Sequence, residues 1–327
     1  MSAQDRTLDQ YHQWMQINAA SHLIRAARTV GLIGQLREGQ RTHEQLCETL
    51  SLAADCSQLL LDALVAIGIV EKYGDDFALS RAGHLLCQYD DDLGDSSWEQ
   101  LVDRLRGESN RAEIHDQPHF DYLAATQWAH TSSAIQAAEI LNLGGEGEVR
   151  GPKILDLGCG SAVWSCAMAH RDSDATVVAV DNQAALQAAT ATAESIGLSE
   201  RFKTIDADPE EVTLPDNKFD MVLLAQRLHC LSRDRAQSLL SRAIAAAKPG
   251  GRIIVIDLFR GPAKPNLAES IAALKLELDS RDGHMRTLEE TQKQLESLGL
   301  ERVQFTFLAA SRINMGLAVG RKPNIPV

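Results

Sequence analysis

In the second half of the chain, short uninterrupted apolar runs alternate with longer stretches whose apolar positions recur every three or four residues. Segments 153–157, 175–181, 202–205, 219–224 and 252–257 read as strands, and helical periodicity lies between them, most clearly over 184–196 and 234–247. Strands that are apolar along their whole length are covered on both faces. That predicts a mostly parallel sheet with helices on either side, a doubly wound α/β fold. After Asp257 the order changes to a helix over 288–298 and strands over 303–309 and 313–320. The short connection Ala310-Ser311-Arg312 predicts that these two strands run antiparallel.

The first 95 residues have a different rhythm. Leu23, Ile24, Ala27 and Val30 recur at helical spacing before Gly31, where a helix can end. Thr42 followed by Gln45 has the form of a capping box. A third helix, with Asp55 as its candidate cap, carries Leu59 to Leu61, Leu64, Val65 and Ile67. Segments 69–73 and 77–80, around Gly74-Asp75-Asp76, read as a hairpin. Helices followed by a hairpin make the order of a winged helix. Residues 96–148 read as a helical lid and linker containing Trp98, Leu101, Leu105, Tyr122 and Trp128, interrupted by Pro118. Residues 149–327 make up the third region, in which strands and helices alternate.

Composition narrows the function classes. The chain has 327 residues, 44% of them hydrophobic and 24% charged, as expected of a folded soluble protein of about two domains. Lys and Arg number 32 against 45 Asp and Glu, a net charge of −13 that repels a phosphate backbone. The would-be recognition helix over 55–67 has no Lys or Arg, which argues against a DNA-reading winged helix and for an apolar partner face. No apolar run is long enough to span a membrane, and no signal-peptide pattern opens the chain. Six cysteines without a Cys-x-x-Cys pair read as reduced thiols, and the expected compartment is cytoplasmic.

The sharpest local motif is Asp156-Leu157-Gly158-Cys159-Gly160-Ser161-Ala162, between a predicted strand and a predicted helix. Its glycines allow a tight turn and close backbone approach to a ligand. Asp181 ends the next strand, where a carboxylate can accept both hydroxyls of a ribose. A dinucleotide site favours a third glycine at position 163, which here is Val. Asp156 at the mouth would repel a pyrophosphate and suit an ammonium instead. The ligand chemistry therefore points to S-adenosylmethionine.

This motif resembles the first motif of class I S-adenosylmethionine-dependent methyltransferases, which usually carry glycine where this chain has Ala162. Residues 26–33, 61–71 and 78–83 resemble the winged-helix dimerisation domain of small-molecule O-methyltransferases. Arg286-Thr287-Leu288-Glu289-Glu290 and Leu298-Gly299-Leu300 resemble their penultimate helix. The resemblance spans roughly residues 10–322. It implies a Rossmann-like sheet, a homodimer, S-adenosyl-L-methionine as cofactor with S-adenosyl-L-homocysteine as product, and a small-molecule acceptor. It assigns cofactor contacts to Asp156, Gly158, Gly160, Asp181, Asn182, Asp208, Pro209 and Ala225.

The resemblance also places a general base at His229, with Asp257 as its carboxylate partner. Met285 falls where the family usually has a second acid. Gln127, Trp128 and His130 are the expected acceptor-side residues. The expected reaction is O-methylation of an aromatic or polyketide-like hydroxyl. N- or C-methylation, a non-methylating reaction on the same scaffold, or a cofactor-sensing regulator are the alternatives. His115 and His119 are expected to be exposed polar residues, and no metal centre is expected. Cys230 beside His229 is expected to point away from it, as neighbours on a helix or strand do.

Overall fold

The computed structural model describes residues 3–89, 98–108, 114–146, 150–261 and 264–324. The chain divides into two compact units, residues 1–95 and 96–327. The junction, and Gly147 and Glu148 of the expected linker, lie outside the described residues.

In the first unit, helix α1 (Ala3–Thr29) is one continuous element of 27 residues. It stops before Gly31, whose φ of 82° turns the chain into α2 (Leu32–Glu38). Thr42 then caps α3 (His43–Leu50) with the predicted box: its hydroxyl accepts from Gln45 N, and the Gln45 side chain accepts from Thr42 N. Asp55 does not cap α4 (Ala54–Ala66); Ala53 occupies that position, and Asp55 lies in the first turn, where its charge favours the helix dipole. Strands β2 (Val70–Tyr73) and β3 (Asp76–Leu79) form the predicted hairpin, β1 (Arg41–Thr42) pairs with β3, and α5 (Arg81–Tyr89) follows. Ala27, Leu32, Leu36, Leu61, Leu64 and Phe77 make the core of this unit. By contrast, Leu8, Tyr11, Trp14, Met15 and Ile17 on α1 are each more than half exposed.

The second unit is built on a sheet in the order β10-β11-β8-β7-β4-β5-β6, with β9 (Arg286–Thr287) beside β8. Strands β4 (Lys153–Leu157), β5 (Thr176–Asp181), β6 (Phe202–Asp206), β7 (Phe219–Ala225) and β8 (Ala247–Arg260) are parallel. Strand β11 (Met315–Arg321) runs antiparallel to both β8 and β10 (Glu301–Phe307). Both last strands sit about two residues from their predicted positions, and their connection is longer than three residues. The apolar runs behave as the pattern predicts: Ile254 and Ile256 pack on one side of the sheet while Ile253 and Val255 pack on the other. Pro118 does not interrupt a helix. It lies in the first turn of α7 (Gln117–Thr126), where its missing N–H costs nothing. Helix α6 (Leu101–Arg106) precedes it, and a 3₁₀ turn (Gln127–His130) links it to α8 (Thr131–Ile140). No helix among the described residues is long and apolar enough to cross a membrane, and all six cysteines are free.

Candidate active site

The chemistry gathers where β4, β5 and β7 end. Asp156 is the penultimate residue of β4. Both its carboxylate oxygens are buried and without a hydrogen bond. The nearest hydroxyl, that of Ser165, donates to the Ala162 carbonyl and gives only partial relief. Burial therefore pushes the Asp156 carboxyl up to about 7. A buried anion without a donor is costly, and an incoming ammonium would compensate it.

The following loop turns with positive φ at Gly158 (74°), Gly160 (55°) and Ala162 (56°). Ala162 thus holds the left-handed conformation that glycine adopts without strain, and then opens α9 (Val163–Arg171). Gly158 N and Cys159 N donate to the Val180 carbonyl, and Gly160 N donates to Asp181 Oδ2 at 2.9 Å. Asp181 Oδ1 accepts from Asn182 N, while the Asn182 side chain caps α10 (Gln183–Ser195). Asp181 consequently fixes the glycine loop as well as facing the neighbouring cavity. That cavity, about 280 Å³, is lined by Asp181, Asn182, Asp206, Asp208, Pro209 and Arg227, among others. Asp208 Oδ1 accepts from Glu210 N and shapes the turn there. Ala225 is buried at the end of β7.

Two flexible side chains lie across the glycine loop. Gln127 Oε1 accepts from Ser161 N and its hydroxyl, and a Cβ added at Gly160 would meet the Gln127 amide at 2.7 Å. Arg227 crosses Gly158, stacks its guanidinium 3.7 Å from the Phe120 ring centroid, and pairs with Glu210 at 3.3 Å. Glu210 also binds Arg235, which reaches Asp116 and Asp282. Sequence reasoning missed Arg227, Glu210 and Arg235. No local motif marks a network whose members come from three separate segments.

On the adjacent turn, residues 228–230 form a 3₁₀ helix after β7. Asp257 in β8 accepts from His229 N at 2.8 Å and takes a short hydrogen bond from His229 Nδ1. Burial disfavours the imidazolium, but the Asp257 charge and hydrogen bond outweigh it, and His229 titrates well above the ordinary histidine range. With Nδ1 engaged, Nε2 is the nitrogen left for a reaction partner.

The structure corrects two expectations nearby. His119 is not exposed: it is 6% accessible, and its ring sits edge-on 6.1 Å from that of His229. Burial, then the neighbouring His229 charge, lowers it to about 3. His115, before the start of α7, is exposed as expected. Cys230 does not point away; its sulfur, a His229 nitrogen and a His119 nitrogen lie within 4.8 Å of one another. Of the expected acceptor-side residues, Gln127 lies on the glycine loop and His130 stacks on Trp164. Trp128 is 41% exposed and lines a separate cavity with Ile135, Val163 and His170. Met285 packs partly buried against the sheet core, next to His284, whose N–H donates to the His229 carbonyl.

These residues fit S-adenosylmethionine by their chemistry. Asp156 is a buried anion lacking a donor, the glycine loop admits close approach, and the adjoining cavity carries carboxylates. What lies across the loop is the movable ends of Gln127 and Arg227.

Residues 154–251 match the methyltransferase domain family. The chain is 31% identical over 113 residues to the ubiquinone biosynthesis O-methyltransferase of Pseudomonas fluorescens, covering 34% of this chain and 47% of that one. It is 29% identical over 121 residues to the ubiquinone/menaquinone biosynthesis C-methyltransferase of Idiomarina loihiensis, covering 36% and 47%. The chain thus spans about half the length of these curated relatives. Whole-chain likeness is found among solved structures. Mitomycin 7-O-methyltransferase superposes with a TM-score of 0.71 at 21% identity, covering 98% of this chain and 99% of that one. Human N-acetylserotonin methyltransferase, solved with S-adenosylmethionine, gives 0.70 at 19% identity and 99% coverage of both chains. At these identities the likeness shows the fold, including the helical N-terminal unit.

Two outcomes are expected from this geometry. Ala162→Gly relieves a left-handed alanine and raises the unfolding free energy by up to about 1 kcal/mol, read by chemical denaturation; an unchanged or lower midpoint contradicts the strain. For Asp156 the native carboxyl holds its proton more tightly than the unfolded chain does. Stability of the unliganded protein therefore falls as pH rises from about 4 to about 7. Asp156→Asn flattens that part of the thermal-unfolding profile, and parallel wild-type and variant profiles would refute the buried charge.

Proposed function

We propose, on the premise that this chain is a class I S-adenosylmethionine-dependent methyltransferase by its domain and its fold, that it methylates a hydroxyl of a small-molecule acceptor with His229 as general base. The observation that carries the reading is the His229–Asp257 pair at the carboxyl edge of the sheet. Bound S-adenosylmethionine supplies an electrophilic methyl on a sulfonium. The chain's own part is to hold the donor, hold the acceptor in line, and take one proton.

Asp156 receives the cofactor's ammonium, and the glycine loop lies under its methionine portion. Asp181 and Asp208 face the nucleoside side of the cavity, with Asn182, Pro209 and Ala225 shaping it. Gln127 and Arg227 swing off the loop when the cofactor enters. Having first given up its own Nε2 proton to solvent, His229 would take the acceptor's hydroxyl proton at Nε2, and Asp257 would stabilise the resulting imidazolium. Alignment of oxygen, methyl and sulfur supplies much of the remaining acceleration. Met285 leaves the base with Asp257 as its carboxylate partner.

In this reading residues 1–95 form a winged-helix-like dimerisation domain and residues 96–148 a lid. The exposed stripe of Leu8, Tyr11, Trp14 and Met15 supports a homodimer, because an apolar stripe at helical spacing is stabilised by covering it. The free cysteines and acidic surface agree with a reducing, cytoplasmic setting and with neither nucleic acid nor membrane as partner.

His229→Ala should lower turnover about 10²–10⁴-fold while S-adenosylmethionine binding, read by calorimetry, stays within a few-fold of wild type. Wild-type-like turnover in that variant ends the base assignment, and transfer of labelled methyl to nitrogen or carbon in the product ends the O-methyl assignment. Replacing both Tyr11 and Trp14 by Asp should convert a dimer to a monomer in light scattering. A dimer that persists places the interface elsewhere.

A further inference from the structure

One group near the proposed base has no role in that reaction. His119 comes from α7 and is 94% buried by its 6% accessibility, yet neither ring nitrogen has a hydrogen bond. The nearest carboxylate, Asp279, is 4.0 Å away, beyond hydrogen-bond reach. An imidazole buried in this way leaves a donor and an acceptor unmet, a demand that a ligand can satisfy. Cys230 is also buried, on the same 3₁₀ turn as His229. A tight turn, unlike a strand, lets consecutive side chains converge. One ligand atom from each of His119, His229 and Cys230 falls within 4.8 Å of the others.

We propose that His119, His229 and Cys230 form a binding site for a thiophilic divalent metal ion of the zinc type, and that the bound ion shuts off methyl transfer by taking the ring nitrogen the acceptor needs. The inhibitory half rests on His229 being the base; the binding half does not.

The donor set selects the ion. Two imidazoles and a thiol suit zinc and its substitutes, whereas magnesium and calcium take oxygen ligands. Zn–N of about 2.0–2.1 Å and Zn–S of about 2.3 Å give tetrahedral edges of about 3.3–3.6 Å. The observed spread of up to 4.8 Å therefore closes by about 1 Å, which side-chain rotation supplies. Asp257 on His229 Nδ1 is the outer carboxylate that zinc-binding histidines commonly have; it fixes the ring and directs Nε2 at the ion. Three protein ligands leave the fourth position to water. On binding, the Cys230 thiol proton and any proton on the ligating histidine nitrogens pass to the buffer, and three metal–ligand bonds form with no change of oxidation state.

The test uses the full chain, freed of metal by chelator. Cobalt(II) should bind one equivalent and give a near-ultraviolet thiolate-to-cobalt band with the visible bands of a four-coordinate ion. Cys230→Ser should lose the thiolate band, and His119→Gln should weaken binding at least about 10-fold. Cys47→Ser, which removes the thiol 3.2 Å from His43 in the other unit, should leave the band unchanged. In turnover assays one equivalent of zinc should abolish methyl transfer, and chelator should restore it. Cys230→Ser should need at least about 10-fold more zinc than wild type to lose half of its own metal-free turnover. A missing band, or one that survives Cys230→Ser, overturns the site and leaves the base assignment standing. A band with turnover unaffected by zinc overturns the inhibition, and with it the role of His229 as base.

Discussion

The parallel strands of the central sheet carry their chemistry to one edge, and every feature of the candidate site depends on that. A parallel sheet requires each connection to return to the opposite edge, so the residues following β4, β5, β7 and β8 emerge side by side. Asp156, Asp181, His229 and Asp257 are separated by up to about a hundred positions in the chain, yet the register of paired strands makes them neighbours. The one antiparallel strand, β11, is inserted beside β8 and buries the strand that holds Asp257. The carboxylate partner of His229 is thus set deep within the sheet rather than on its rim.

Two buried acids at that edge are treated in opposite ways. Asp257 is satisfied by His229 and by the Leu258 N–H, so its charge is held by fixed donors. Asp156 has no such donors and holds its proton to about neutral pH. The first arrangement orients an imidazole; the second leaves an unmet demand for a cation. A sulfonium amino acid meets that demand at a cost the empty fold already bears, which is a physical route to selectivity for a zwitterionic ligand over a pyrophosphate.

The helical segment before the sheet closes this edge through long side chains. Gln127 lies on the glycine loop, and Arg227 bridges Phe120 and Glu210. Asp116, at the start of α7, joins the same network through Arg235. Such partly buried, multiply paired charges are costly to break singly, but their side chains can exchange one partner for another. The same segment delivers His119 against His229, so whatever repositions α7 also changes the surroundings of that ring.

Much of this was legible from the sequence. Apolar runs fixed the strands because each is buried on both faces, and the Asp-x-Gly-x-Gly turn identified its ligand chemistry because few residues tolerate that backbone. Thr42 and Gln45 capped their helix as written, since capping is a contact between residues three apart. Where the reading failed, the deciding contact was long-range. Pro118 is the exception, since the first turn of a helix tolerates its missing N–H for a purely local reason. His119 looked like a surface residue because the ring it packs against, that of His229, lies about 110 positions away. Local periodicity determined the elements and the cofactor turn; only the folded chain decided which buried groups face one another, because hydrogen-bond and charge partners across a sheet edge leave no trace in the spacing of neighbouring residues.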